Sequence, residues 1–134
     1  MKPCVLYFSR TGNTKRMAEA IAAAINAPVF AITSSNPDVV EDFDLLILGT
    51  PVEGFRPAKA AADFVEHLPK TRGKKAILFC TCKLWKGNTF KILERELSSK
   101  GYDVILSVSK RGIKFDKPAD FSDCLSKIKE ALKK

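Results

Sequence analysis

The chain has 134 residues, of which 46% are hydrophobic, 28% charged and 9% aromatic, a length for one domain spanning 1–134 and a composition that excludes disordered and fibrous chains. No apolar run approaches the ~20 residues of a membrane helix, and the start MKPCVLYFSR is too short and polar too early for a secretory signal. With 23 Lys+Arg against 15 Asp+Glu, the net charge of +8 raises nucleic acid and acidic proteins as partners.

Residues 1–70 carry 7 basic and 8 acidic side chains, whereas residues 71–134 carry 16 and 7. The excess therefore lies wholly in the second half, either as a solubilising surface or as a docking surface. Cysteines stand at 4, 80, 82 and 124. In a chain of this size with a good core and no secretory signal, they read as reduced thiols of a cytoplasmic protein.

Taken in order, Pro3–Phe8 is a continuous apolar run of strand length. The polar turn Ser9–Asn13 follows it, and then a helix on which Met17, Ile21 and Ile25 share a face with Ala18 and Ala22. Pro28–Thr33 reads as a second strand. The stretch from Ser34 to Phe43 holds at most one turn, near Pro37–Asp42. Asp44–Gly49 is the third strand; Ala61, Phe64, Val65 and Leu68 then mark a helix that Pro57 can open. Lys75–Thr81 is the fourth strand, followed by a helix through Phe90, Leu93 and Leu97 that Gly101 stops. Tyr102–Val108 is an unbroken fifth strand. Phe121, Leu125, Ile128 and Leu132 mark the last helix, with Cys124 on its buried face.

Strands apolar on both faces and separated by helices predict an open, doubly wound α/β sheet. There is no internal repeat, low-complexity segment or linker. Sites in such sheets lie beyond the carboxyl ends of the strands, where strand order reverses. Attention therefore falls on the loops after the first, third and fourth strands.

The first loop is Ser9-Arg10-Thr11-Gly12-Asn13-Thr14, leading straight into a helix. Backbone N–H groups at a helix start favour an anion, Gly12 permits close approach, and the hydroxyls can donate to phosphate oxygens. Any one of these residues also serves as an ordinary helix cap. No Gly-Lys-Thr/Ser follows, which argues against a nucleoside triphosphatase. Cys4 and Arg10 have the spacing of a thiol phosphatase loop, but the bulky residues between them place Cys4 inside a strand. Ser9 and Thr50 stand at strand ends where a receiver domain needs acidic residues.

Ser9-Arg10-Thr11-Gly12-Asn13-Thr14 resembles the phosphate loop of flavodoxins, Ser/Thr-x-Thr-Gly-Asn-Thr, which holds the phosphate of FMN. Gly49-Thr50-Pro51-Val52 resembles the family's second loop, which lies along the isoalloxazine ring, and the likeness extends over essentially the whole chain. The resemblance implies a five-stranded flavodoxin-like sheet in the order 2-1-3-4-5 with helices on both faces, and non-covalent FMN. It also implies electron transfer through the flavin between redox partner proteins, with no catalytic residue and no metal. By the same resemblance Ser9, Arg10, Thr11, Gly12, Asn13 and Thr14 surround the phosphate. Thr50, Pro51, Val52, Glu53, Gly54 and Phe55 lie along the ring, and Cys80, Thr81, Cys82, Lys83, Trp85, Gly87 and Asn88 hold its pyrimidine end.

Where many relatives carry a stacking aromatic, this chain has Glu53; Phe55 either supplies the ring face or packs beneath the loop. Trp85, the sole tryptophan, sits in a polar loop and suits a surface that covers something. Lys83 or Lys86 near the ring would favour a reduced anion. Cys80 reads as a buried apolar residue and Cys82 as more accessible; the two lack the further ligands a structural zinc needs. His67 reads as a helix C-terminal residue.

Two other functions remain open. One is a small flavin-dependent quinone or protoporphyrinogen-type oxidoreductase, for which short loops leave little material to shape a substrate pocket. The other is a basic nucleic-acid-binding module, which no basic-aromatic stripe or known motif supports. The basic second half, with Lys83, Lys86 and Lys91 beside the proposed ring loop, instead suggests an acidic redox partner and an easier final reduction than in acidic flavodoxins.

Overall fold

The five apolar runs align as parallel strands of one sheet in a computed structural model, which describes residues 1–114 and 117–133. The strands are β1 (Pro3–Tyr7), β2 (Val29–Ala31), β3 (Leu45–Glu53), β5 (Lys74–Cys82) and β6 (Tyr102–Arg111), ordered β2-β1-β3-β5-β6. A two-residue strand, β4 (Arg56–Pro57), folds back antiparallel on the end of β3. Leaving β4 aside, this is the expected 2-1-3-4-5 order.

Side chains alternate across the sheet, so each strand feeds two cores. Leu6, Leu48, Leu78 and Cys80 pack on one face beneath α2 (Lys59–Glu66) and α3 (Thr89–Ser99). Val5, Ile47, Ile77 and Phe79 pack on the other beneath α1 (Asn13–Ile25) and α4 (Ser122–Leu132). The helical residues chosen by spacing are those that seal these cores: Met17 and Ile21 of α1, Phe64 and Val65 of α2, Leu93 and Leu97 of α3, and Ile128 of α4. Cys124 is buried on α4 as expected.

Element boundaries differ from the sequence reading for local reasons. The second strand ends at Ala31, because the Ser34 and Ser35 hydroxyls donate to the Ala31 carbonyl and turn Ile32–Ser34 into a 3₁₀ segment. A second 3₁₀ segment occupies Pro37–Asp42, the one turn anticipated there. The third and fourth strands run past their apolar stretches. Thr50 pairs with Cys80 and Pro51 with Thr81, so polar residues at the strand ends belong to the sheet.

Pro57 does not open α2. It pairs with Val52 in β4, its ring holds Arg56 extended, and Ala58 caps the helix instead. The fifth strand runs without a break, as expected, but carries one irregularity. Ala76 faces Val104 while Ile77 faces Leu106, leaving Ile105 as a bulge on an edge strand that continues to Arg111.

Candidate functional site

The carboxyl ends of β1, β3 and β5 converge on a cleft of about 350 Å³. Three chain segments separated by some forty and thirty residues build it, because parallel strands deliver their ends to the same edge of the sheet.

The β1 end supplies Arg10, Thr11 and Asn13 to the lining. Gly12 turns the chain into α1 with φ of 97°, a conformation that a side chain disfavours, and a Cβ there would meet open space. Helix α1 has no side-chain cap. Ser9 Oγ instead accepts the Gly12 N–H at 3.0 Å, which tightens the loop and leaves the following helical N–H groups outside any side-chain cap. Ser9 and Gly12 face a second, smaller concavity with Lys15 and Thr33 rather than the cleft. Asn13 and Thr14 belong to α1 rather than to the loop. Thr14 is buried, with its hydroxyl 2.8 Å from that of Thr81 on β5. Since each hydroxyl donates once, that pair retains one proton for a further acceptor.

The β3 end supplies Pro51, Val52, Glu53, Gly54 and Phe55. Thr50 is buried behind them; its Oγ1 accepts the Ala58 N–H at 3.0 Å and donates to the Pro51 carbonyl at 2.8 Å, fixing the start of α2 to the strand end. Thr50 to Glu53 are thus strand residues, not loop residues. Gly54 and Phe55 form the tip between β3 and β4, both with positive φ, 61° and 63°. Positive φ is costly for phenylalanine, and the tip is held from outside. The Phe55 carbonyl accepts the Asn88 N–H at 2.8 Å, and Gly87 approaches so closely that a Cβ on it would lie 2.3 Å from that carbonyl oxygen. Gly87 and Asn88 therefore act behind the tip and do not line the cleft. Phe55 is exposed rather than packed beneath the loop, and its ring centroid lies 5.8 Å from that of Trp85.

The β5 end supplies Thr81, Cys82, Lys83 and Trp85. Cys80, Thr81 and Cys82 are strand residues. Cys80 is fully buried, and burial pushes its thiol up to about 12; Cys82 is half-buried, its thiol raised by burial against the opposing pull of Arg111 and Lys86. Cys4 is likewise buried in β1 with its thiol near 12, which removes the phosphatase reading. No metal-binding cluster of His, Cys, Asp or Glu occurs among the described residues. Lys86 lies over the Phe90 ring, 5.6 Å from its centroid, and is not among the lining residues. His67 caps the end of α2, its Nδ1 donating to the Asp63 carbonyl at 2.8 Å.

Three features escaped the sequence. Leu84 is 75% exposed at the cleft mouth, flagged only by its place beside Trp85. Ile113 reaches the cleft from beyond β6, outside the three loops that the reversal of strand order singles out. Arg10 and Glu53 form a two-point ion pair, Arg10 Nε donating to Glu53 Oε2 and Nη2 to Oε1 at 3.1 Å; nothing in either segment alone signals it.

Comparison with known proteins settles the family. Residues 4–99 match the family model of the flavodoxin domain. The chain belongs to the flavodoxin family. It is 32% identical over 108 residues to an uncharacterized protein of Methanocaldococcus jannaschii, covering 78% of this chain and 71% of that one. It is 30% identical over 109 residues to the flavodoxin of Megasphaera elsdenii, covering 75% and 80%. The crystal structure of oxidised flavodoxin 1 from Bacillus cereus superposes with a TM-score of 0.82 at 28% identity, over 99% of this chain and 98% of that one. The protein is accordingly a flavodoxin-type flavoprotein of the electron-transport class. Among the described residues no helix is long and apolar enough to cross a membrane.

Proposed function

We propose that this flavodoxin-family chain binds FMN non-covalently and carries electrons between redox partner proteins. The observation that carries the reading is the adjacency of two unlike surfaces. An uncapped helix start lies beside a cleft walled by Pro51, Val52, Phe55, Leu84 and Trp85.

That pairing fits FMN, which is anionic at one end and aromatic at the other. Ser9, Thr11, Gly12, Asn13 and Thr14 would hold the phosphate through the backbone and hydroxyl donors of the α1 start. The segments Pro51–Phe55 and Thr81–Trp85 would enclose the ring, with Gly87 and Asn88 holding the Phe55 tip from behind. Bound FMN would supply one- or two-electron transfer. The chain's part is to orient the ring, shield it from water and set the charge around it.

Lys83 lines the cleft, Lys86 and Lys91 are exposed a few residues farther along the chain, and together they would address an acidic partner. Four free cysteines accord with a reducing cytoplasm.

Visible absorption of the purified protein, followed by titration of the apoprotein with FMN and riboflavin, tests the reading. A yellow protein that releases FMN is expected. Thr11→Ala or Asn13→Ala should weaken FMN about 10- to 100-fold, the scale of a hydrogen bond to a charged group, and riboflavin far less. A colourless protein that takes up no FMN refutes the cofactor, and equal losses for both ligands refute the phosphate assignment.

A further inference from the structure

Arg10 and Glu53 lie 43 positions apart, one in the connection between β1 and α1, the other at the end of β3, and both line the cleft. The guanidinium engages both carboxylate oxygens and also lies over the Phe8 ring, 5.2 Å from its centroid. Its orientation is therefore fixed from two sides. With side chains 61% and 35% exposed, the pair contributes little to folding.

Its place matters more than its strength. Among the described residues, Arg10, Glu53 and Lys83 are the charged ones lining the cleft. Cys82, the remaining titratable lining residue, has its thiol raised by burial and is neutral at pH 7. Among the described residues the lining therefore carries one net positive charge, and its carboxylate is masked at contact distance by Arg10.

We propose that the Arg10–Glu53 pair is a charge-setting device, in which Arg10 masks the Glu53 carboxylate and so fixes how readily a ring bound in the cleft takes up negative charge. This deepens the FMN reading and rests on it. An oxidised flavin ring takes up two electrons and one proton to become a monoanion. A bare carboxylate in the lining opposes that change, and a bare guanidinium favours it. A unit charge ~8 Å away in an effective dielectric of ~40 alters the relative affinity for the two forms by roughly fivefold.

The test uses the full-length apoprotein as wild type, Arg10→Gln, Glu53→Gln and the double variant. Each is titrated with oxidised FMN and, anaerobically, with FMN reduced by excess dithionite, which supplies the electrons while water supplies the proton. The ratio of oxidised to reduced dissociation constants should rise about fivefold in Glu53→Gln and fall about fivefold in Arg10→Gln. In the double variant it should return to within about twofold of wild type. Thermal midpoints of the four apoproteins, expected within ~2 °C of each other, report folding separately.

A merely structural clasp would weaken both forms of FMN together and leave the ratio unchanged. An unchanged ratio, shifts of the same sign, or a double variant that does not return towards wild type overturns the proposal. A wild type that binds no flavin at all overturns the FMN reading and this inference with it.

Discussion

Gly87→Ala gives a sharp test of how the cleft mouth is built. Gly87 has φ of 59°, and a methyl group there would lie 2.3 Å from the Phe55 carbonyl oxygen and 2.4 Å from Phe55 Cβ. Ordinary contact begins about 1 Å farther out, so the tip between β3 and β4 must retreat. That retreat costs the 2.8 Å hydrogen bond from Asn88 and separates the Phe55 and Trp85 rings. Left-handed backbone costs an alanine ~1 kcal/mol, the lost hydrogen bond ~1 kcal/mol, and residual overlap a similar amount, giving about 2–4 kcal/mol in all.

Gly54→Ala is the control. Its φ of 61° is nearly the same, but nothing lies within 4 Å of the added methyl, so only the backbone cost of ~1 kcal/mol remains. Urea denaturation gives both values. Because Trp85 is the sole tryptophan and is exposed at the mouth beside Phe55, its emission should change in Gly87→Ala and stay near wild type in Gly54→Ala. Equal losses of stability with unchanged emission in both variants would refute the close approach as the feature that holds the tip.

Alkaline pH should destabilise the fold through buried acids. Cys4 and Cys80 ionise near 12 when folded against 9.0 in the open chain, and Tyr102 near 12 against 10.0, burial being the main cause in each. The unfolded chain thus loses these protons first, and stability present below pH 9 declines as pH rises towards 12. Urea midpoints at pH 7.5 and 10 should show the fall, and Cys80→Ala should lessen it; the same fall in that variant refutes the assignment to Cys80. The acidic-partner reading predicts that electron transfer from such a partner slows as ionic strength rises from 0.05 to 0.5 M, estimated as at least tenfold for steering by several lysines. A rate indifferent to salt removes the docking role of Lys83, Lys86 and Lys91.

The sequence by itself determined the layered fold, the strand order implied by its motifs, and the first loop. Continuous apolar runs and helical spacing are local properties that record which faces must be buried, so the core residues of β1, β3, β5, α1 and α3 were legible. Ser9-Arg10-Thr11-Gly12-Asn13-Thr14 carried its own chemistry in six consecutive residues. The end of the third strand was misread where polar residues, Thr50 and Glu53, join the sheet because a neighbouring strand satisfies their backbone, a partner that hydropathy does not register. Pro57 looked like a helix opener until the antiparallel pairing with Val52 claimed it. Only the tertiary structure decided that Ile113 and Leu84 reach the cleft, that Asn88 and Gly87 hold Phe55 in a disfavoured backbone region, and that Arg10 closes on Glu53. Each of these contacts joins segments tens of residues apart, or depends on positions within a few ångströms, and a sequence pattern fixes neither.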